Sequence, residues 1–578
     1  MRAILSSRWF SAVGALMLTA CSSQGGAPRQ TVAQVSSWPE VSISQAAKRP
    51  NHYFACYRGD GNSQCGLRIY QIMVESFVDG DPRAGTGIGY GPSHHKGDLQ
   101  GVISSLDYIQ QLGINAIWLT PIFESTPVAG QDNASDRLDS TGYFASNFFR
   151  IDPRFGTLEQ ARTLVDEAHR RGIAVLFDGV FGHYKSNLVA SPSGKRPKDG
   201  VCRGSNGGTY SGPLMSCADY TAPETLAFFD EVARYWVKEL KIDGWRADQA
   251  YQVPVSAWKQ LRQAVAESSA QVSYRNPAGE SVHPLGYMVG EIWDNEQIIS
   301  RTGYGSDEAP GLHSAFDFPL RYRLVQTLAV EEEYGSSNRG GLPASTLAEG
   351  FNTWRGYPAH AMPNLMLGNH DLVRFGDLLQ RGGVAEPEQE AYWLFHKAAF
   401  SFLTAYSGPI TLYYGEEIGQ ELPGFADKVG SGCIEAGQCD DHVARSSAVI
   451  EGVAPEVGKP ASQLNARQQD LKKYLSTLMA LRAAHPALYD GSRAHIYDDN
   501  TLYLDLKAAN LKTGGKEQIL YLLNTRDEPK RLRLSAEVVK GAKAMRDLLT
   551  GERVTVNGDG EFILPAPGIT GRFLLLEP

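Results

Sequence analysis

The chain has 578 residues, of which 42% are hydrophobic and 21% are charged, and its formal net charge is −9. This length exceeds one ordinary domain and accommodates a barrel of about 250–400 residues with accessory segments. The acidic balance argues against a nucleic-acid partner, because phosphate binding needs clustered lysine and arginine, and only a short run at 195–198 is basic.

The first residues have the pattern of a secretory signal. Two arginines precede an apolar stretch at 9–18, which is too short to span a bilayer. The run LTAC at 18–21 resembles a bacterial lipoprotein cleavage site, so residues 1–20 would be removed and Cys21 would carry a lipid anchor in the membrane. Ser22 indicates sorting to the outer membrane, on its periplasmic or surface face. The alternative is an ordinary signal peptide with an incidental cysteine.

Residues 21–65 are predicted to form a tether and an N-terminal segment. The stretch 22–50 is rich in Ser, Gln, Ala and Pro, a composition typical of flexible linkers.

Six cysteines besides Cys21 agree with export. They form three pairs of close neighbours: Cys56 and Cys65, Cys202 and Cys217, Cys433 and Cys439. Fifteen pairings are formally possible, and sequence proximity is the argument for three local disulfides in an oxidising compartment. The absence of CxxC and HxxxH spacings argues against a zinc site.

Strands and helices alternate along the chain from residue 66. Eight strands are predicted at 67–77, 115–121, 173–180, 244–248, 287–293, 314–320, 364–371 and 410–419. Helical patterns lie between most of them, the clearest at 99–113 and at 157–172, where a threonine opens the helix and a glycine closes it. Eight parallel strands with crossover helices are best satisfied by a closed (β/α)₈ (TIM) barrel, an α/β fold.

Two further regions complete the prediction. A stretch without periodicity at about 184–222, after the third strand, is predicted to be an inserted loop domain within the barrel domain at 66–490. Residues 491–578 show short alternating strands at 495–508, 517–525, 531–535 and 571–578, which predict a C-terminal antiparallel β domain.

Four motifs at predicted strand ends carry the candidate chemistry: DGVFGH (178–183), GWRAD (244–248), GEIWD (290–294) and GNHD (368–371). A barrel of this type places catalytic groups at the C-terminal ends of its strands. Asp248, Glu291 and Asp371 are therefore expected to converge on one pocket. Two carboxylic groups that face one bond are the minimum for glycoside hydrolysis.

These motifs, in this order, resemble those of the α-amylase family of glycoside hydrolases. The resemblance covers roughly residues 66–578 and includes GYFASNFFRIDPRFGT (142–157) and YYGEEIG (413–419). It implies a retaining hydrolase that needs no cofactor for its chemistry.

The resemblance also implies a role for each site residue. Asp248 matches the nucleophile, Glu291 the acid/base and Asp371 a carboxylate that grips sugar hydroxyls. Arg246 lies two residues before Asp248, so it points to the same side and is expected to keep that carboxylate ionised.

Four more residues match substrate-binding or supporting positions: Tyr143 under the cleaved sugar, His183 and His370 as hydrogen-bonding histidines, and Asp178, which would orient Arg246. Taken alone, each has a structural alternative. Asp178 could form a turn, the histidines could be satisfied core residues, and Tyr143 could pack the barrel.

The sequence departs from the family at a calcium position. The family's first motif has an asparagine that ligates a structural calcium, and this chain has Gly182 there. A second candidate for structural Ca²⁺ is Asp79, Asp81 and Asp98, since closely spaced oxygen ligands suit this ion. The alternative for these three is a polar turn.

Other departures concern the substrate. Tyr251 and Gln252 replace a Lys-His pair that is frequent in starch-cleaving members, and Ser140 replaces an aspartate that is frequent in exo-acting α-glucosidases. Ser140 favours an open cleft, so the predicted activity is endo-acting cleavage of α-1,4 bonds in starch, maltodextrins or related α-glucans. The alternatives are a transglycosylase, a cyclomaltodextrinase-like enzyme, and a non-catalytic carbohydrate-binding surface protein.

Overall fold

The computed structural model describes residues 35–45, 54–59, 61–205, 207–210, 215–330, 340–352, 356–424 and 440–578. Over these ranges the chain builds a barrel, a small β region inserted in it, and a β domain at the C-terminal end.

Eight parallel strands close into a barrel, and the predicted (β/α)₈ fold is confirmed. The strands, numbered first to eighth, are Arg68–Ile72, Ala116–Leu119, Ala174–Gly179, Gly244–Ala247, Tyr287–Gly290, Ser314–Phe316, Met362–Met366 and Ile410–Tyr413. Each pairs with the next, and the eighth pairs with the first to complete the ring. The strands are buried on both faces, which explains their continuous apolar sequence.

Helices connect the strands and cover the outside of the barrel. The longer ones are Leu99–Gln111, Leu158–Arg170, Pro223–Leu240, Val255–Gln271, Phe318–Leu328, Glu390–Ala405 and Ala466–Ala484. Shorter ones are Asn133–Ser140, Glu296–Ile299, Ser345–Asn352, Phe375–Arg381, Asp440–Val443 and Pro486–Tyr489. The first two long helices begin where the sequence predicts, because Asp98 and Thr157 accept backbone hydrogen bonds as N-caps.

The segment after the third strand is a small β region rather than an irregular loop. Its strands are His183–Lys185, Asp199–Gly200, Cys202–Arg203, Thr209–Tyr210 and Met215–Ala218. His183–Lys185 pairs antiparallel with Met215–Ala218, and His183 lies opposite Cys217. This pairing fixes the backbone of His183.

Two of the three predicted disulfides are confirmed. Cys56–Cys65 and Cys202–Cys217 have Cα separations of 5.5 and 5.1 Å. The predicted Cys433–Cys439 pair and the predicted lipidation site Cys21 lie outside the described residues, as does the predicted signal at 1–20. Among the described residues, no helix combines the length and apolar character needed to cross a membrane.

The C-terminal β domain is confirmed. Its larger sheet has six antiparallel strands in the order Ser492–Asp498, Leu502–Asn510, Lys516–Asn524, Thr570–Glu577, Ala544–Asp547 and Arg553–Thr555. The prediction of one strand over 495–508 is wrong, since this stretch is a hairpin. Asp499 turns the chain by accepting hydrogen bonds from the backbone N–H groups of Thr501 and Leu502.

The N-terminal segment is more than a tether. Glu40–Ile43 forms a strand that pairs in parallel with Lys530–Ser535, which in turn pairs with Glu561–Ala566. Ile43 is buried in the core of the C-terminal domain. The tether prediction is therefore wrong for these residues, because their alternating apolar side chains complete a distant sheet.

Candidate active site

The guanidinium of Arg246 lies at the centre of the site and is completely buried. Its Nη1 donates to both carboxylate oxygens of Asp178 and to Oδ1 of Asp248, each at 2.9 Å. Its Nη2 lies 2.9 Å from Oε1 of Glu291. These three carboxylates come from the ends of the third, fourth and fifth strands, which are neighbours in the barrel, so Asp248 and Glu291 lie together as expected.

Asp178 holds Arg246 in place rather than forming a turn. In addition to the arginine, its Oδ2 accepts hydrogen bonds from Tyr143 Oη at 2.8 Å and from Trp118 Nε1 at 3.0 Å. The Arg246 guanidinium also lies 4.8 Å from the centroid of the Trp118 ring. Sequence reasoning missed Trp118, because an apolar residue within a buried strand carries no signal of a site.

Asp371 joins the site from the loop after the seventh strand. Its Oδ2 lies 3.3 Å from Nε2 of His370, whose other ring nitrogen lies 2.6 Å from Nε2 of Gln71. The His370 ring stacks on Tyr143 at 5.3 Å with an interplanar angle of 5°. Two of the predicted substrate-binding residues thus form one aromatic platform beside Asp371.

Arg445 is a site residue that sequence reasoning missed. Its Nη2 lies 2.6 Å from Oδ1 of Asp371, and its Nε donates to the backbone oxygen of His370. It comes from a segment after the eighth strand that is tied to the barrel through Tyr413 and Arg374, which both donate to the oxygen of Ala444. No motif or periodicity marks that segment in the sequence.

His183 reaches the site through side chains that follow Asp248. Its Nδ1 lies 3.0 Å from Oε1 of Gln252, whose Nε2 donates to Oε1 of Gln249. The backbone N–H of Gln249 donates to Oε2 of Glu291 at 3.1 Å. All the predicted catalytic and substrate-binding residues therefore lie in one connected cluster.

Burial dominates the protonation of the central carboxyls. It raises the pKa of Asp248 and of Glu291 to about 7, and Arg246 opposes this rise in both. Burial likewise raises the pKa of Asp178 to about 6 against the effect of Arg246. The raised Glu291 pKa agrees with its expected role. Arg246 lowers the pKa of Asp248, as expected, but burial is the larger effect.

The pKa values of Asp371 and of the two histidines are lowered instead of raised. Burial would raise the pKa of Asp371, but His370, Arg445 and Arg246 together lower it below its ordinary value. Burial lowers the pKa of His370 to about 3 and also lowers that of His183. The site thus combines an ionised Asp371 with neutral histidines near pH 7.

The three aspartates predicted to bind calcium do not fit a metal. Asp98 caps a helix by accepting from Gly101 N–H, and its second oxygen accepts two backbone N–H groups of the preceding loop. Asp81 is paired with Arg83, and Asp79 accepts a long hydrogen bond from the backbone. Within the described ranges, no group of three His, Cys, Asp or Glu side chains could hold a metal ion. The polar-turn alternative is the one that the structure supports.

Comparisons with known proteins agree with this geometry. Residues 71–193 and 216–448 match the family model for the α-amylase catalytic domain. A cyclomaltodextrinase of Geobacillus thermopakistaniensis (strain MAS1) is 27% identical over 85% of this chain and 74% of its own length. An intracellular maltogenic amylase of Bacillus subtilis (strain 168) is 30% identical over 61% of this chain and 55% of its own.

Solved structures of AmyP give a closer match. AmyP in complex with maltose is 54% identical, with a TM-score of 0.81 over 89% of this chain and 97% of that one. A glutamate-to-glutamine variant of AmyP in complex with maltotriose matches with the same identity and TM-score.

Proposed function

The chain belongs to the α-amylase family and is a glycoside hydrolase that acts on α-glucans, and we propose that it cleaves α-1,4-glucosidic bonds with retention of anomeric configuration. The main observation behind the proposal is that Asp248 and Glu291 each form an ion pair with a different Nη atom of the buried Arg246. This arrangement supports the proposal that a nucleophile and a proton donor act on the same substrate bond, as retention requires.

In the first step of the proposed mechanism, Asp248 is a carboxylate, and one of its oxygens attacks the anomeric carbon and forms a glycosyl ester. Oδ1 of Asp248 is held by Arg246, and Oδ2 makes no hydrogen bond with any residue that the structure describes, so we assign the attack to Oδ2. The bond to the departing sugar oxygen breaks as Glu291 donates its proton to that oxygen. Burial raises the pKa of Glu291 to about 7, which lets it hold a proton near neutral pH while Asp248 is ionised.

In the second step, Glu291 is a carboxylate and takes a proton from water. The water oxygen bonds to the anomeric carbon, the ester to Asp248 breaks, and the product leaves with its original configuration. Arg246 contacts both carboxyls throughout and stabilises whichever of them carries the negative charge.

The remaining residues are proposed to hold the sugar ring. The stacked rings of Tyr143 and His370 would provide a surface beside Asp371, and the ionised Asp371 would accept hydrogen bonds from two sugar hydroxyls. His183, which lies 5.4 Å from the ring of Phe144 next to Tyr143, would contact a further hydroxyl.

The relatives support short or cyclic substrates as well as starch. Their names include cyclomaltodextrinase and maltogenic amylase, and AmyP is solved with maltose. The endo action predicted from Ser140 and the cyclomaltodextrinase alternative are therefore both proposals for this chain, and product patterns separate them.

The deciding experiment is a time course on purified protein with amylose, maltoheptaose, β-cyclodextrin and pullulan. Mixed oligosaccharides that form early from amylose support endo action, and faster opening of β-cyclodextrin supports the cyclomaltodextrinase alternative. Products longer than maltoheptaose indicate transglycosylation. Proton NMR of the first product shows the α-anomer if configuration is retained, and an initial β-anomer contradicts the mechanism.

We also propose that the enzyme is exported and anchored in the outer membrane through Cys21. The two disulfides in the described residues support an oxidising compartment. Replacement of Cys21 with alanine should move the activity from the membrane fraction to the soluble fraction. An unchanged membrane fraction contradicts the anchor.

A further inference from the structure

The turn that follows Asp248 connects two groups of the site that are far apart in sequence. Oε1 of Gln252 accepts a hydrogen bond from Nδ1 of His183 at 3.0 Å. Nε2 of Gln252 donates a hydrogen bond to Oε1 of Gln249, also at 3.0 Å. The same Gln249 oxygen accepts a hydrogen bond from Tyr251 Oη at 2.7 Å. These three side chains link His183 to the backbone beside Glu291.

Gln249 has a backbone conformation that residues with side chains rarely adopt. Its φ is 40° and its ψ is 52°, in the left-handed region. This conformation lets its N–H donate to Oε2 of Glu291, while the next N–H, that of Ala250, donates to the backbone oxygen of Glu291. The hydrogen bonds from Tyr251 and Gln252 to the Gln249 side chain hold the turn in this shape.

Gly182 makes room for the Gln252 side chain. A Cβ atom at position 182 would lie 2.1 Å from Oε1 and 2.5 Å from Cβ of Gln252. Position 182 has no positive φ, so glycine is needed there for space and not for backbone conformation. Gly182 and Gln252 are therefore sterically coupled, although 70 residues separate them.

We propose that Gln252 is a positioning residue that acts on two groups at once. It sets the orientation of the His183 ring, whose backbone is already fixed by pairing with the Cys217 strand. Through Gln249 it also holds the N–H that binds Glu291. Gly182 is required for these hydrogen bonds, because any side chain at position 182 would displace the Gln252 amide. The proposal rests on the function proposed above, in which Glu291 is the acid/base.

The first test is Gln252→Leu, which keeps the bulk of the side chain and removes its hydrogen bonds. We expect kcat on maltoheptaose to fall about 10–100-fold, since a displacement of about 1 Å at a catalytic group has an effect of this size. The matched control is Gln260→Leu on the exposed face of the helix Val255–Gln271, which should leave kcat and KM unchanged.

Leaving groups distinguish positioning from a general structural effect. Phenyl and 2,4-dinitrophenyl maltotriosides have the same sugar, but only the phenyl leaving group needs a proton from Glu291. Gln252→Leu should lower kcat more for the phenyl glycoside. A loss that is equal for both glycosides, or that lies only in KM, overturns the Glu291 part of the proposal. An unchanged kcat on every substrate overturns the whole proposal.

The coupling to Gly182 is tested without activity. Gly182→Ala should lower the melting temperature through the clash with Gln252, and adding Gln252→Ala should recover part of that loss. Additive changes in melting temperature contradict the coupling. If the wild-type enzyme cleaves none of the glucans, the function is wrong, while this thermal cycle still decides the steric pairing.

Discussion

Replacement of Asp248 with asparagine should abolish turnover and stabilise the protein at alkaline pH. Burial raises the pKa of this carboxyl from 3.8 to about 7. The native state therefore binds a proton more tightly than the unfolded state does, and native stability falls as the pH rises from about 4 to 7. At about 1.4 kcal/mol per pKa unit, the free energy of unfolding falls by at most about 4 kcal/mol by pH 8. We expect a fall of about 1–4 kcal/mol, because Glu291 and Asp178 share the same arginine and titrate together with Asp248.

An asparagine cannot ionise, so the Asp248→Asn variant does not lose this stability as the pH rises. Arg246 keeps Asp178 and Glu291 as partners, and the amide oxygen can still accept its third hydrogen bond. Urea unfolding at pH 4 and pH 8 measures the effect: the variant should match the wild type at pH 4 and exceed it at pH 8. The control is Asp377→Asn, a buried carboxyl outside the cluster whose pKa is also raised to about 7. It should gain stability at pH 8 while remaining active. An Asp248→Asn variant that is no more stable than the wild type at pH 8 refutes the reasoning.

Four further outcomes are expected. Glu291→Gln should lower kcat on maltodextrins about 10²–10⁴-fold and on dinitrophenyl glycosides much less; equal losses would exclude it as the acid. Arg445→Ala should raise the pKa of Asp371, which the arginine now lowers, as measured by a carboxyl ¹³C NMR titration; an unmoved pKa contradicts this link. Burial lowers the pKa of Lys507 to about 7, so wild-type stability should rise between about pH 7 and 10.5, and Lys507→Met should remove that rise in pH-dependent unfolding. Reduction of Cys202–Cys217 should lower stability by about 2–4 kcal/mol, seen as a lower melting temperature that the Cys202→Ser and Cys217→Ser double variant reproduces.

The barrel and most of the site could be predicted from the sequence because each signal is local. A buried parallel strand is a short apolar run, and the residue that follows it lies at the open end of the barrel. The sequence alone therefore places Asp178, Arg246, Asp248 and Glu291 on successive strands, which are neighbours in the barrel.

The other parts of the site depend on contacts that no local pattern encodes. Arg445 contacts Asp371, which lies 74 residues earlier in the chain. The segment that contains Arg445 has no periodic sequence pattern. In the sequence, Trp118 has the pattern of an ordinary core residue. The raised pKa of Asp248 depends on how completely the folded chain excludes water from this carboxyl. The poor fit of the predicted calcium ligands was hidden for a similar reason, since the carboxylate of Asp98 accepts hydrogen bonds from backbone groups that the sequence does not show near it.

The strand Glu40–Ile43 has a consequence for the order in which the molecule is completed during synthesis. Its partner strand begins with Lys530, and the contact between Glu40 and Arg531 spans 491 residues. At about 5–20 residues per second, the ribosome makes the first strand about 25–100 s before the second exists. The sheet that contains this strand thus cannot be complete until Glu561–Ala566 has been made, and a chain cut short after the barrel would leave this N-terminal strand without the partner that covers it.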